Sequence, residues 1–121
     1  MDLKEILKGK LLELGQRLID QQSSKIIIDP HGESSGYWFG GGNICLTKNG
    51  DILISGRFRN EGDARTGTGA GSRGLECAVF SSHSPDTGFE KILSFSKEDL
   101  SHSEEVVSIE GVSLIKDFAI S

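Results

Sequence analysis

Residues Asn43-Ile44-Cys45-Leu46-Thr47-Lys48-Asn49-Gly50-Asp51-Ile52-Leu53-Ile54-Ser55-Gly56-Arg57-Phe58-Arg59-Asn60 decide the fold. Two apolar runs, 43–47 and 52–60, flank Lys48-Asn49-Gly50-Asp51, and Asn-Gly between such runs is the strongest short-range hairpin signal. The turn expected here is type I′, whose two central residues both need positive φ. The pattern returns downstream, where 75–83 and 89–96 flank the tight connection Ser84-Pro85-Asp86-Thr87-Gly88. Four successive strands are therefore expected in an antiparallel meander. Its one long link is the segment 61–74 between the second strand and the third.

Toward the N-terminus the period changes from two to that of a helix. Leu3, Leu7, Leu11, Leu14 and Leu18 form a stripe within residues 2–22, while Lys4, Glu5, Lys8, Glu13 and Arg17 fall off it. An amphipathic helix thus occupies 1–24 and a β-rich part 25–121. The leucine stripe is expected to pack on its own domain, with a partner-binding or coiled-coil helix as the alternative. Within the β-rich part, 25–28 is a short β-branched run and 37–39 an aromatic one. The polar stretch 97–105 reads as a helical turn or loop. Strand character resumes at 106–110 and 112–115, and 118–120 begins a further apolar run.

Sixteen glycines among 121 residues are about twice the usual share, and there are two prolines. No G-X-Y period is present, which excludes collagen, and this much glycine suits a turn-rich β protein. Thirteen basic against 18 acidic side chains argue against nucleic acid or an anionic membrane as the main partner. The N-terminal residues interleave charge with leucine, unlike a secretory signal, and no apolar run approaches the length of a membrane span. A cytoplasmic location is expected. Cys45 and Cys77 sit in apolar runs and read as two buried free thiols. His31, His83 and His102 lack metal-ligand spacing, so neither a metal nor a cofactor is expected.

The glycine-rich stretch 62–74 has strands on both sides. It lacks the Gly-Lys-Ser/Thr before a helix that a phosphate cradle needs, and reads as a loop over a binding face. Its flanks carry the chemistry. Arg57 and Arg59 leave one face of a strand together, and Asp63, Arg65, Arg73 and Glu76 follow. Such a cluster can be a structural ion-pair lattice. It can equally hold catalytic carboxylates and recognise a polyhydroxylated or anionic ligand by forked hydrogen bonds. In Gly36-Tyr37-Trp38-Phe39-Gly40-Gly41-Gly42-Asn43, Tyr37 and Trp38 can stack on a sugar ring or join the core, and Asn43 completes the set of candidate ligand contacts.

The order of these motifs resembles the start of glycosidase-like five-bladed β-propellers, the group of arabinanases, xylosidases and invertases. Trp38-Phe39-Gly40-Gly41-Gly42-Asn43, Asn49-Gly50-Asp51, Gly56-Arg57-Phe58-Arg59, Asp63-Ala64-Arg65 and Arg73-Gly74-Leu75-Glu76 carry the resemblance. Ser84-Pro85-Asp86-Thr87-Gly88-Phe89-Glu90 and Ser108-Ile109-Glu110-Gly111 continue it, over about residues 36–116. Ser84-x-Asp86-x-Gly88 is also similar to the turn between outer strands of sialidase blades.

The resemblance implies a propeller-like blade, the start of a second, and carbohydrate as ligand. In that group carboxylates from different blades hydrolyse glycosidic bonds. Asp29, in Asp29-Pro30-His31-Gly32, is similar to the Asp of the invertase Asp-Pro-Asn-Gly, with His31 replacing Asn. It is the candidate base, while Asp63 and Glu110 stand in resembling positions. The acid comes from a later blade.

A five-bladed ring at about 50 residues per blade needs several hundred residues. The 121 residues are therefore expected to be a piece of a longer product, or to complete themselves through partners. Homo-oligomers through strand edges or the helix, and an isolated chain without hydrolytic activity, follow from that expectation. The alternative is a non-catalytic β-rich assembly domain whose Arg–carboxylate cluster is structural.

Overall fold

The computed structural model describes residues 2–61 and 73–115. Helix α1 spans Leu3–Leu18, opened by Asp2, whose side chain accepts from the Lys4 amide. Strands β1 (Trp38–Gly40), β2 (Ile44–Leu46), β3 (Ile52–Arg59), β4 (Glu76–Ser82) and β5 (Glu90–Ser96) form one antiparallel sheet, and α2 (Lys97–Leu100) follows. The sheet order is β1-β3-β4-β5, and β2 also pairs with β3. The fold is mainly β, with one N-terminal helix of more than a single turn among the described residues, and the sheet is open.

β1 and β2 behave as one outer strand bent by a bulge. Gly40 faces Arg57 and Ile44 faces Ile54, so Gly41–Asn43 stand against only Ser55 and Gly56. A Cβ on Gly42 would land on the Ser55 carbonyl, so this close approach requires glycine. The four expected strands are all present, and the aromatic run at 37–39 joins the first of them across this bulge. A second irregularity lies in β5, where Phe80 faces Lys91 and Val79 faces Leu93, leaving Ile92 unopposed.

The hairpin at Asn49-Gly50 forms, but not as type I′. No non-glycine residue among those described has positive φ, and only Gly50 of this turn does. The Gly50 amide donates to the Thr47 carbonyl at 3.0 Å and the Thr47 amide to the Asp51 carbonyl at 2.9 Å. This is a type I turn closed by a left-handed glycine, with the Thr47 hydroxyl accepting from the Asp51 amide.

The core lies on one face of the sheet. Phe58 from β3 and Ala78 and Phe80 from β4 pack with Ile28, and Phe39, Ile54 and Phe89 close around them. Phe39 and Phe80 meet edge to face at 5.2 Å, and the His31 ring stacks on Phe58 at 3.7 Å. Residues 25–28 make no strand. Ile28 still enters the core as a plug from an irregular segment.

Three further expectations change. α1 ends at Leu18 instead of near residue 22, and none of its residues is buried, so the leucine stripe does not pack on the sheet. Residues 106–110 and 112–115 form no strand, because side chains and isolated amides, instead of a continuous ladder, tie them to the sheet. Cys77 is buried but Cys45 only half-buried, both as free thiols. The apolar run at 118–120 lies outside the described residues.

Two glycine substitutions separate these features. Gly42→Ala should lower stability by roughly 2 kcal/mol or more through the clash with the Ser55 backbone. Gly9→Ala, with open space around it in α1, should leave the sheet's stability unchanged and raise helicity by about 1 kcal/mol of propensity. Urea unfolding followed by circular dichroism checks both, and equal effects at the two sites would contradict the bulge geometry.

Candidate functional site

β3 alternates its side chains between the two faces. Phe58 enters the aromatic core, so Arg57 and Ser55 leave on the other side. That second face would be wet but for residues 108–114, which cross it. The Ile109 amide donates to the Gly74 carbonyl at 2.9 Å and the Val112 amide to the Gly41 carbonyl at 3.4 Å. Asn43 then clasps Leu114, its Nδ2 donating to the carbonyl at 2.9 Å and its Oδ1 accepting from the amide at 2.7 Å. The buried Ser55 hydroxyl lies 2.8 Å from Asn43 Oδ1 and 3.1 Å from the Val112 carbonyl.

Under this crossing segment sits the charge cluster. Glu110 Oε2 lies 3.4 Å from Arg57 Nη2, and Glu110 Oε1 is bound by Arg73 Nη2 at 2.5 Å. Ser108 Oγ adds a third donor at 2.7 Å. The Arg57 side chain is only 7% exposed, whereas that of Glu110 is 56% exposed. The hydrogen bond from Ser108, then that from Arg73, hold the Glu110 carboxyl below its ordinary value, against the opposing effect of desolvation. Among the described residues the site therefore presents an ionised carboxylate with an open side, a hydrogen-bond acceptor. Such a group can orient hydroxyls or accept a proton, and it is the opposite of a raised-pKa acid.

Of the residues singled out in the sequence, Arg57, Arg73 and Glu110 come together, with Asn43 fastening the same segment. Arg59 leaves the same face but packs its guanidinium 4.8 Å above the Trp38 ring. Trp38 is 39% exposed there, while its neighbour Phe39 turns into the core.

Glu76 does not join the arginine cluster, because it opposes Phe58 in the ladder and so lies on the core face. There it binds Lys91 at 2.8 Å, with His31 Nε2 at 3.8 Å. Burial would raise the Glu76 carboxyl, but hydrogen bonds from Lys91 and Ser94, with the nearby charges, outweigh burial and leave it lowered. Asp29 and Tyr37 line a shallow depression with Pro30 and His31. Because His31 stacks on Phe58, this depression borders the core face, away from Glu110. Asp63 and Arg65 lie outside the described residues.

Ser108 was not foreseen. Its signal was local, since Ser108 and Glu110 are two apart in an extended stretch and leave it on the same side.

Among the described residues no group of three or more His, Cys, Asp or Glu side chains is placed to hold a metal. No helix described is long and apolar enough to cross a membrane. No protein-family model, curated protein or solved structure matches the chain.

Glu110 ionises more readily folded than unfolded, so its clamp stabilises the fold above the ordinary carboxylate value of 4.5. That contribution fades as pH falls through the depressed folded value. Glu110→Gln should flatten the acid limb of the stability curve without abolishing it, because Glu76 titrates in the same direction. It should also lower hydrogen-exchange protection at the Val112 and Leu114 amides while β3 and β4 keep theirs. Identical acid limbs in the two proteins would rule the clamp out.

Proposed function

We propose that this sheet is one blade of a glycosidase-like β-propeller that binds carbohydrate, with Arg57, Arg73 and Glu110 at the rim of its funnel. The observation that carries this reading is the path of the chain after β5. It leaves the outermost strand of a four-layer meander and returns to the opposite edge, beside the Gly41–Asn43 bulge. Radial repetition of four-stranded sheets about a channel calls for that path, because the chain must run from the outer strand of one blade to the inner strand of the next. Among the described residues the sheet is a single open layer, the form a blade has before its neighbours pack on its faces.

At the rim, the ionised Glu110 accepts hydrogen bonds from sugar hydroxyls, and Ser108 with the two arginines holds it in that state. The half-exposed Trp38, backed by Arg59, offers an aromatic platform for the C–H face of a sugar ring. For bond cleavage, Glu110 takes the ionised role as base or orienting acceptor. The raised-pKa acid is supplied by a further blade. The exposed leucines of α1 favour an assembly role alongside this one.

Trp38 is the only tryptophan, so its emission reports on the platform directly. Titration with arabino-, xylo- and fructo-oligosaccharides should give a saturable change for one class. Glu110→Gln should weaken that binding about tenfold by calorimetry, the effect of one charge-assisted hydrogen bond, with the circular dichroism unchanged. A flat titration with all three classes would overturn the carbohydrate reading.

A further inference from the structure

α1 places its charges in an ordered way. At about 100° per residue, Lys4 and Lys8 fall on one flank of the leucine stripe and Lys10 and Arg17 on the other. Glu5 and Glu13 lie on the far side. The stripe is therefore bordered by cations along both edges, and every one of its leucines is exposed. Residues 3–18 carry four basic and two acidic side chains, leaving nine basic against sixteen acidic in the rest of the chain.

One face of the sheet matches this helix in both respects. On β5, Leu93 and Phe95 lie opposite Val79 and Cys77, on the Arg57 face, but beyond the reach of the crossing segment 108–114. They remain 47% and 39% exposed. Glu90 stands on the same face at one end of this strip. At the other end residues 98–105 carry four carboxylates, Glu98, Asp99, Glu104 and Glu105, and no Lys or Arg. An apolar strip with acidic ends is the complement of an apolar stripe with basic edges.

We propose that α1 of one copy lies on the Leu93–Phe95 strip of a second copy, and reciprocally, giving a two-fold dimer. The leucines cover the strip with the helix laid across β5, so that Lys10 and Arg17 on one edge face the carboxylates of the 98–105 segment and Lys8 on the other faces Glu90. The connection from residue 19 to residue 27 spans up to about 30 Å extended, enough to reach a neighbouring sheet. This goes beyond the carbohydrate reading and stands on a different surface.

Light scattering of the full chain up to about 0.5 mM tests it. The expected result is a dimer that weakens with salt, and weakens about tenfold or more in Leu7→Glu and equally in Leu93→Glu. Lys10→Glu/Arg17→Glu and Glu104→Lys/Glu105→Lys should each dimerise poorly alone and pair when mixed. Circular dichroism confirms that these exposed substitutions leave the fold intact.

A monomer at every concentration overturns the proposal. So does a dimer lost in Leu7→Glu but untouched in Leu93→Glu, which would mean helix-to-helix pairing. A monomer that co-sediments with phosphatidylcholine–phosphatidylserine vesicles through Leu7 would assign the helix to a lipid surface instead.

Discussion

A guanidinium removed from water must be met by acceptors or a counter-charge. Arg57 sits in the one stretch of β3, Ser55–Phe58, that is buried on both faces, and its neighbour Phe58 is fixed in the aromatic core. Alternation along the strand then sends Arg57 out on the opposite side, where Glu110 lies 3.4 Å from its guanidinium. Glu110 reaches it from the segment that comes back across the sheet after β5. The burial of Ile109 and the clasp at Asn43 hold the same segment in place on either side of that ion pair.

Much of the meander was legible because its signals are local. Asn49-Gly50 and Ser84-Pro85-Asp86-Thr87-Gly88 mark their turns in a few residues, and period-two alternation sets β3 and β4 within a residue or two. The Ser84 turn is stitched by its own side chains, with the Ser82 and Thr87 hydroxyls 2.6 Å apart. What sequence could not supply was tertiary. The hydrophobicity of Lys25–Ile28 is that of a strand, yet one residue of it is used as a plug. The bulge that joins Trp38–Gly40 to Ile44–Leu46 depends on Gly42 meeting the Ser55 backbone across the sheet. The leucine stripe of α1 reads the same whether it covers its own domain or another surface.

The candidate site divides in the same way. Placing Arg57 and Arg59 on one face needed only the strand period. Assigning Glu76 to them needed the pairing register, and the register puts it with Lys91 and His31 on the other face. The carboxylates Asp29 and Glu110, which sequence alone set side by side as catalytic candidates, border different faces. The charge state of Glu110 is therefore set by Ser108 and its two arginines, independently of Asp29.

The clasp between Asn43 and Leu114 joins positions 71 residues apart in the chain. Closing so long a loop demands more entropy than forming either hairpin, so this contact forms after the hairpins and opens before them. Cys45 lies at the hinge of that event, its sulfur 3.7 Å from both the Leu114 carbonyl and the Asn43 amide nitrogen. The half-buried Cys45 touches the returning segment, while Cys77 is sealed within the sheet. The molecule thus carries two chemical clocks of different speed. One thiol becomes alkylatable each time the crossing segment lifts, and the other only when the whole sheet comes apart.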